Sequence, residues 1–297
     1  MLPHRSIGSL AEVSVVGLGC NNFGGRIGLE ETRAVVDAAL DCGIDFLDTA
    51  DVYGEDGASE RLLGEVLQAR RDRVVLASKF GGHGDGSPEH IRGAIDASLR
   101  RLQTDRIDLY QYHRPDGRTP IVETLGAMND LVDAGKVREI GCSNFSAAQL
   151  RQAADAAREN GLRSFASVQN EYSLLEREIE REVLAECERL GVAVIPYFPL
   201  ADGLLTGKYR RGEDPPPGTR LVDCPRQPDD PTFDKLEPFA DFAAERDLEP
   251  AAVAIGWLAA QPQVASVIAG ATKPEQVRAN AKAAGWNPSA ADLEELD

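Results

Sequence analysis

Short β-branched runs alternate with amphipathic helical segments along the whole 297-residue chain, and that alternation leaves few folds open. The predicted strands are Val13–Gly19, Asp45–Thr49, Val74–Lys79, Ile107–His113, Glu139–Ser143, Ser167–Glu171, Val192–Tyr197 and Ala265–Gly270. Between them, apolar residues recur at the 3.6-residue period over Glu30–Asp41, Glu60–Gln68, Pro88–Leu102, Val122–Ala134, Ala147–Arg158 and Ile179–Leu190. Helices over Lys235–Glu245 and Ala251–Gln261 precede the last strand, and Pro274–Ala284 follows it. Ser87-Pro88-Glu89 supplies an N-cap with proline in the first turn, while Gly43, Gly135, Gly161 and Gly191 stop helices just before the next strand. Eight strands in a chain of this length predict one α/β domain over residues 1–297, a (β/α)8 TIM barrel. A doubly wound sheet competes, but Gly17-Leu18-Gly19-Cys20-Asn21-Asn22 lacks the third glycine of a dinucleotide fingerprint. Gly207-Lys208 likewise lacks the rest of a P-loop.

Two segments stand outside the alternation. Ser6–Val15 is expected to form a hairpin before the first barrel strand, and Ala201–Asp234 a long loop after strand 7. The loop carries Pro215-Pro216-Pro217-Gly218, Pro225, Pro228 and Pro231, and an excursion of that length is expected to cover a site. Lys plus Arg total 32 against 49 for Asp plus Glu, a net charge of −17 that argues against nucleic acid or an anionic membrane as partner. With no apolar run near ~20 residues and no signal pattern after Met1, the expected location is the cytoplasm. Cys20, Cys42, Cys142, Cys187 and Cys224 are scattered without a CxxC pair, which favours free thiols over disulfides or zinc. His83 and His90 have no ligand spacing, so no metal is predicted, and oligomeric state has no signal.

Polar residues interrupt the strands at one recurring place. Asp48, Lys79, His113, Asn144 and Gln169-Asn170 fall at or just beyond strand C-termini, and in a barrel those ends converge on the face where active sites form. Tyr53 lies five residues after Asp48. A phenol has a pKa of ~10, and a cation beside it lowers that value towards the operating pH. Lys79 is the candidate cation, Asp48 the group that orients it, and His113 a donor to a carbonyl oxygen. Such a set moves a proton but holds no hydride, which must come from a cofactor.

The segments GLGCNNFGG, FLDTADVYG, VLASKFG, IDLYQYHRPD, REIGCSNF, VQNEYSLLER, PYFPLADGLLTGKY and VIAGATKPEQVRANA resemble the aldo-keto reductases over nearly the whole chain. The nearest type is the bacterial members that resemble potassium-channel β-subunits and general stress proteins. The resemblance implies NADP(H)-dependent reduction of aldehydes or ketones, with Asp48, Tyr53, Lys79 and His113 as the catalytic set and Tyr53 as general acid. It implies that Ser143, Asn144 and Gln169 hold the nicotinamide carboxamide and that Tyr197 stacks under the ring. Leu200, Gly203, Leu204 and Lys208 match the pyrophosphate segment. Gly270, Ala271, Thr272, Lys273, Gln276 and Asn280 match the adenosine site, with Arg220 as partner for a 2′-phosphate. Two positions depart from the family pattern: Ala279 replaces a frequent acid and Gln276 a frequent arginine, which leaves the NADP preference to Lys273 and Arg220. The tail after Asn280 is short, so the pocket is expected to be open. Its candidate lining is Phe23, Val52, Tyr53, Phe80, His113, Arg114, Phe145 and Phe198, suited to a small or aromatic carbonyl substrate. Two other readings stand beside this one: a Schiff-base aldolase using Lys79, and a regulatory or scaffold barrel that binds NADP(H) with little turnover.

Overall fold

The computed structural model describes residues 2–10, 12–223 and 228–297, so Cys224 and Pro225 lie outside the described residues. The chain opens with an antiparallel hairpin, β1 (His4–Arg5) on β2 (Val13–Ser14). The predicted first strand is therefore split, because Val13–Ser14 belongs to the hairpin and only β3 (Val16–Gly19) to the barrel. Then follow β4 (Phe46–Asp48), β5 (Val75–Phe80), β6 (Ile107–Tyr112), β7 (Val137–Ser143), β8 (Ser167–Gln169), β9 (Ala193–Val194) and β10 (Val267–Gly270). Strands β3 to β9 pair in chain order, all parallel, and β10 pairs with β3. The ring closes at a bridge between Val194 and Val264, with the Ala265 amide donating to Val194 O at 2.9 Å. The result is the (β/α)8 barrel. β9 is shorter than predicted because Pro196 has no N–H to donate, although Tyr197 N still reaches Asn170 O at 3.1 Å.

Helices α1 (Leu29–Asp41), α2 (Ala58–Leu67), α3 (Pro88–Leu102), α4 (Ile121–Asp133), α5 (Ala147–Asn160) and α6 (Val183–Leu190) return the chain between strands. Gly43, Gly135, Gly161 and Gly191 all take positive φ where these helices stop, the conformation that costs glycine least. The excursion after β9 is more structured than predicted. It holds 3-10 turns at Ala201–Thr206 and Arg220–Asp223. Helix α7 (Asp230–Glu245) begins five residues before Lys235, because the Asp229 side chain accepts from Thr232 N and Pro231 occupies the first turn, where no N–H is needed. α8 (Pro250–Ala260) and α9 (Pro274–Ala283) follow as predicted. A last helix, α10 (Ala290–Leu296), was not predicted; Arg246 ties it to α7 through Asp292 and Glu295. Among the described residues no helix is long and apolar enough to cross a membrane.

Side chains alternate along each strand, so every strand feeds two cores. Outward residues such as Leu47, Leu76, Tyr110, Ile140 and Val168 pack under the helices. Inward residues Phe46, Ala77, Leu109, Ile195 and Ile268 form an apolar lower layer in the barrel, closed from below by Ile7, Leu10 and Val13 of the hairpin. Gly17 leaves room for that layer, since a Cβ there would lie 2.9 Å from Phe46. Two residues further along the strands, the inward positions become Asp48, Lys79, Gln111 and Gln169, all buried. The barrel thus has a dry floor and a polar upper layer, and the site stands on that layer.

Candidate active site

Asp48 ends β4 and Lys79 sits on the adjacent β5, both within the interior and without exposure beyond 1%. Lys79 Nζ donates to Asp48 Oδ2 at 2.5 Å, to Thr49 O at 2.9 Å and to the Tyr53 hydroxyl at 3.2 Å. Tyr53 is placed by a tight turn in which its amide donates to Ala50 O and its carbonyl accepts from Ser59 N. Gly54 makes that turn at φ 69°, and a Cβ there would meet Phe23 O at 2.8 Å. Burial works against the Lys79 charge, but Asp48 and Tyr53 outweigh it and hold the ammonium above the ordinary lysine value. A charged, threefold-bonded amine is a poor nucleophile, which disfavours a Schiff base at Lys79.

Tyr53 departs from expectation. Burial pushes its phenol up, Lys79 pulls it down and Asp48 pushes it up again, with a net rise. Burial is the larger cause, and Lys79 does not offset it because Asp48 pairs with that cation at contact distance. Tyr53 therefore keeps its proton at neutral pH. The His113 ring lies edge-on to Tyr53 at 5.9 Å, and its Nδ1 is buried without a partner among the described residues. Burial first, then Lys79, Arg114 and His83, drive its pKa down to about 3, so the imidazole stays neutral. Burial and Asp48 push the nearby Cys20 thiol well up, which leaves it no thiolate character.

A cleft of about 870 Å³ opens above this layer, running from Tyr53 and His113 across Tyr197 to the start of α9. Its walls carry Arg26, Arg114, Lys208, Arg220 and Lys273 against Asp48, Glu171 and Asp202, a local basic excess in an acidic protein. Ser143, Asn144 and Tyr197 bond to one another along one wall. Asn144 Nδ2 donates to His113 O and Ser143 Oγ, Tyr197 OH donates to Asn144 Oδ1 at 2.9 Å, and Ser143 Oγ donates to Gln169 O. Gln169 Nε2 donates to Asp48 Oδ1 at 2.9 Å. With those donors committed, the wall offers a ligand mainly acceptor lone pairs, which match the NH2 side of a carboxamide. Asn144 and Phe198 hold φ values of 61° and 52°, strained for non-glycine residues and clustered at this wall.

Of the residues predicted for a cofactor, Ser143, Asn144, Gln169, Tyr197, Leu200, Gly203, Lys208, Arg220, Gly270, Ala271, Thr272, Lys273, Gln276 and Asn280 all line the cleft. Leu204 packs instead into the apolar cluster beneath α7. Arg220 is already engaged, pairing with Asp202 at 3.0 Å and lying over the Phe198 ring. Gln276 Oε1 accepts from Thr272 N at 2.7 Å and Lys273 N at 3.2 Å, so it caps α9. Of the predicted substrate lining, Tyr53, His113, Arg114 and Phe198 face the cleft. Phe23, Phe80 and Phe145 do not; they are buried in the outer core, with Phe80 stacked on Tyr112. Val52 is half-buried and lies against Gly82, off the cleft wall. Pro217, Gly218, Thr219 and Arg220 bring the loop after β9 onto the cleft wall, and the tail beyond α9 stays away from it. Sequence reading missed Asn21, Asn22 and Arg26 in the cleft lining, and Gln111 beneath. The signal for Gln111 was an amide at an inward position of its strand, two residues after Leu109. Among the described residues, no cluster of three or more His, Cys, Asp or Glu is arranged to hold a metal ion.

The family model described as the aldo/keto reductase family matches residues 15–297. A probable voltage-gated potassium channel subunit beta of Oryza sativa subsp. japonica is 35% identical, covering 88% of this chain and 84% of its own length. Probable aldo-keto reductase 1 of Glycine max is 36% identical over 96% of this chain and 85% of its own. The uncharacterized oxidoreductase YrpG of Bacillus subtilis (strain 168) is 37% identical over 91% and 87%.

Proposed function

This chain belongs to the aldo/keto reductase family of oxidoreductases, and from that premise we propose that it reduces aldehydes or ketones to alcohols with NADPH, Tyr53 giving the proton. The observation that carries the reading is the Tyr53 hydroxyl 3.2 Å from Lys79 Nζ at the floor of a cleft that His113 also lines. When bound, the reduced nicotinamide supplies a hydride to the carbonyl carbon. Ser143, Asn144 and Gln169 hold its carboxamide side, and Lys208, Lys273 and Arg220 supply cations to its phosphates. Neutral His113 donates to the carbonyl oxygen and fixes its direction. Tyr53 then protonates the oxygen as charge builds on it, while Lys79 stabilises the phenolate left behind. Asp48 keeps Lys79 charged throughout.

The test is NADPH binding followed by NADPH oxidation against a broad panel of carbonyl compounds, including an activated nitrobenzaldehyde, without added metal. Binding with turnover is expected. Loss of both would overturn the enzyme reading. Binding without turnover would favour a regulatory role, in keeping with the relatives named as channel subunits.

A further inference from the structure

Gln111 sits on β6, two residues after the inward-facing Leu109, with no exposure. A buried amide destabilises a barrel interior unless its hydrogen bonds are made. Here its Nε2 donates to Asp48 Oδ1 at 3.0 Å, beside Gln169 Nε2 at 2.9 Å on the same oxygen. A carboxylate only accepts, so both amides must present their NH2 groups to it. Gln169 Nε2 also reaches Gln111 Oε1 at 3.4 Å, which joins the two amides. The neighbouring strand is shaped for this side chain. Gly141 pairs with Gln111 in register, and a Cβ there would lie 3.2 Å from Gln111 Cγ and 2.5 Å from Ser167 Oγ.

We infer that Gln111 is a positioning residue for the proton donor: with Gln169 it fixes the Asp48 carboxylate so that Oδ2 stays on Lys79 and Lys79 stays on Tyr53. The inference rests on the reading of Tyr53 as general acid. One carboxylate oxygen is held by amides from β6 and β8, and the other by the ammonium from β5. Without Gln111, Asp48 Oδ1 keeps a single amide, the carboxylate turns more freely, and the Lys79–Tyr53 contact loosens. Both hydrogens of the Gln169 amide are committed inside the barrel, so its carbonyl is the side left for a ligand.

Two variants and a spectroscopic signal test this. Gln111→Leu keeps the approximate volume and removes the amide; kcat should fall by roughly 10- to 100-fold while KM and the NADPH dissociation constant stay within about twofold. Gln111→Glu places a carboxyl against Asp48, and two carboxylates at one site do not both ionise. Protonated, the introduced carboxyl still donates to Asp48, so activity should be retained at low pH and lost as it ionises with rising pH. The chain has few lysines, so 15N-lysine NMR should resolve a protected Lys79 ammonium signal, absent in Lys79→Met and shifted in Gln111→Leu. A folded Gln111→Leu variant with wild-type kcat, an unchanged pH profile and an unshifted Lys79 signal would overturn the assignment. Should wild-type protein reduce no carbonyl while the Lys79 signal still moves in Gln111→Leu, the positioning role stands and the reductase reading falls. Should Gln111→Leu fail to fold, a pH profile for Gln111→Glu identical to wild type would overturn it.

Discussion

Asp48, Lys79 and Gln111 stand on strand ends with at most 1% exposure, whereas Asp202 and Arg220 stand on turns with 38% and 35% of their side chains open to water. Both regions wall the same cleft, and both contain an ion pair. The Lys79–Asp48 pair is shielded from salt and held by residues of four strands, so breaking it strands a buried charge. The Asp202–Arg220 pair is screened and contributes roughly 0–1 kcal/mol, a contact that a nucleotide phosphate would readily replace. The strand side is a fixed scaffold for the reaction, and the loop side is an adjustable holder.

The largest expected effect tests the scaffold. Tyr53→Phe keeps the ring and removes the hydroxyl that Lys79 touches. Turnover should drop by ~10²–10⁴, with NADPH affinity nearly unchanged in a fluorescence titration. A near wild-type rate with cofactor bound would move the acid role to His113. A smaller effect should come from the loop side. Replacing Arg220 and Lys273 together by Ala should raise the NADPH dissociation constant by about tenfold or more, and that for NADH far less, if both read the 2′-phosphate. Equal weakening would show that neither residue reads the 2′-phosphate.

The smallest effect concerns a weakness on the strand side. Asp51 Oδ1 is buried without a partner among the described residues, and burial, then Glu60, raise its carboxyl to about 6. A folded-state value above the ordinary one means that the protonated form favours folding. That stability is present at low pH and is lost as pH rises through about 6. Asp51→Asn should therefore raise Tm at pH 7, by roughly 2–4 °C, with little gain at pH 4. An equal gain at both pH values would show that the carboxyl charge is not the cause.

The same contrast explains what could be read from the sequence. Strand periodicity placed Asp48, Lys79, His113 and Gln169 on one face, because alternation and a parallel barrel leave inward residues at strand ends nowhere else to go. Alternation also says which way a residue points only when the register is known. Phe23, Phe80 and Phe145 were expected on the cleft because they adjoin motif residues, yet they turn into the outer core. Gln111 was passed over because one amide within a strand carries no chemistry until its partner, 63 residues away in the chain, is placed. On the loop side, the successive positive φ values at Ala201, Asp202 and Gly203 and the Arg220–Asp202 pair follow from tertiary contacts that no periodicity encodes. The early start of α7 was legible from Asp229 and Pro231, had the proline been read as a first-turn residue and not as a breaker.

The proposed reaction is direct hydride transfer to a carbonyl in this cleft. The decisive experiment is turnover of an aldehyde with NADPH carrying deuterium at both positions of its hydride-donating ring carbon. The expected product is an alcohol with one deuterium on the carbinol carbon, with NADP+ formed in equal amount and the hydroxyl proton drawn from solvent through Tyr53. An alcohol without deuterium, or NADPH that binds and is never consumed by any carbonyl, would contradict it.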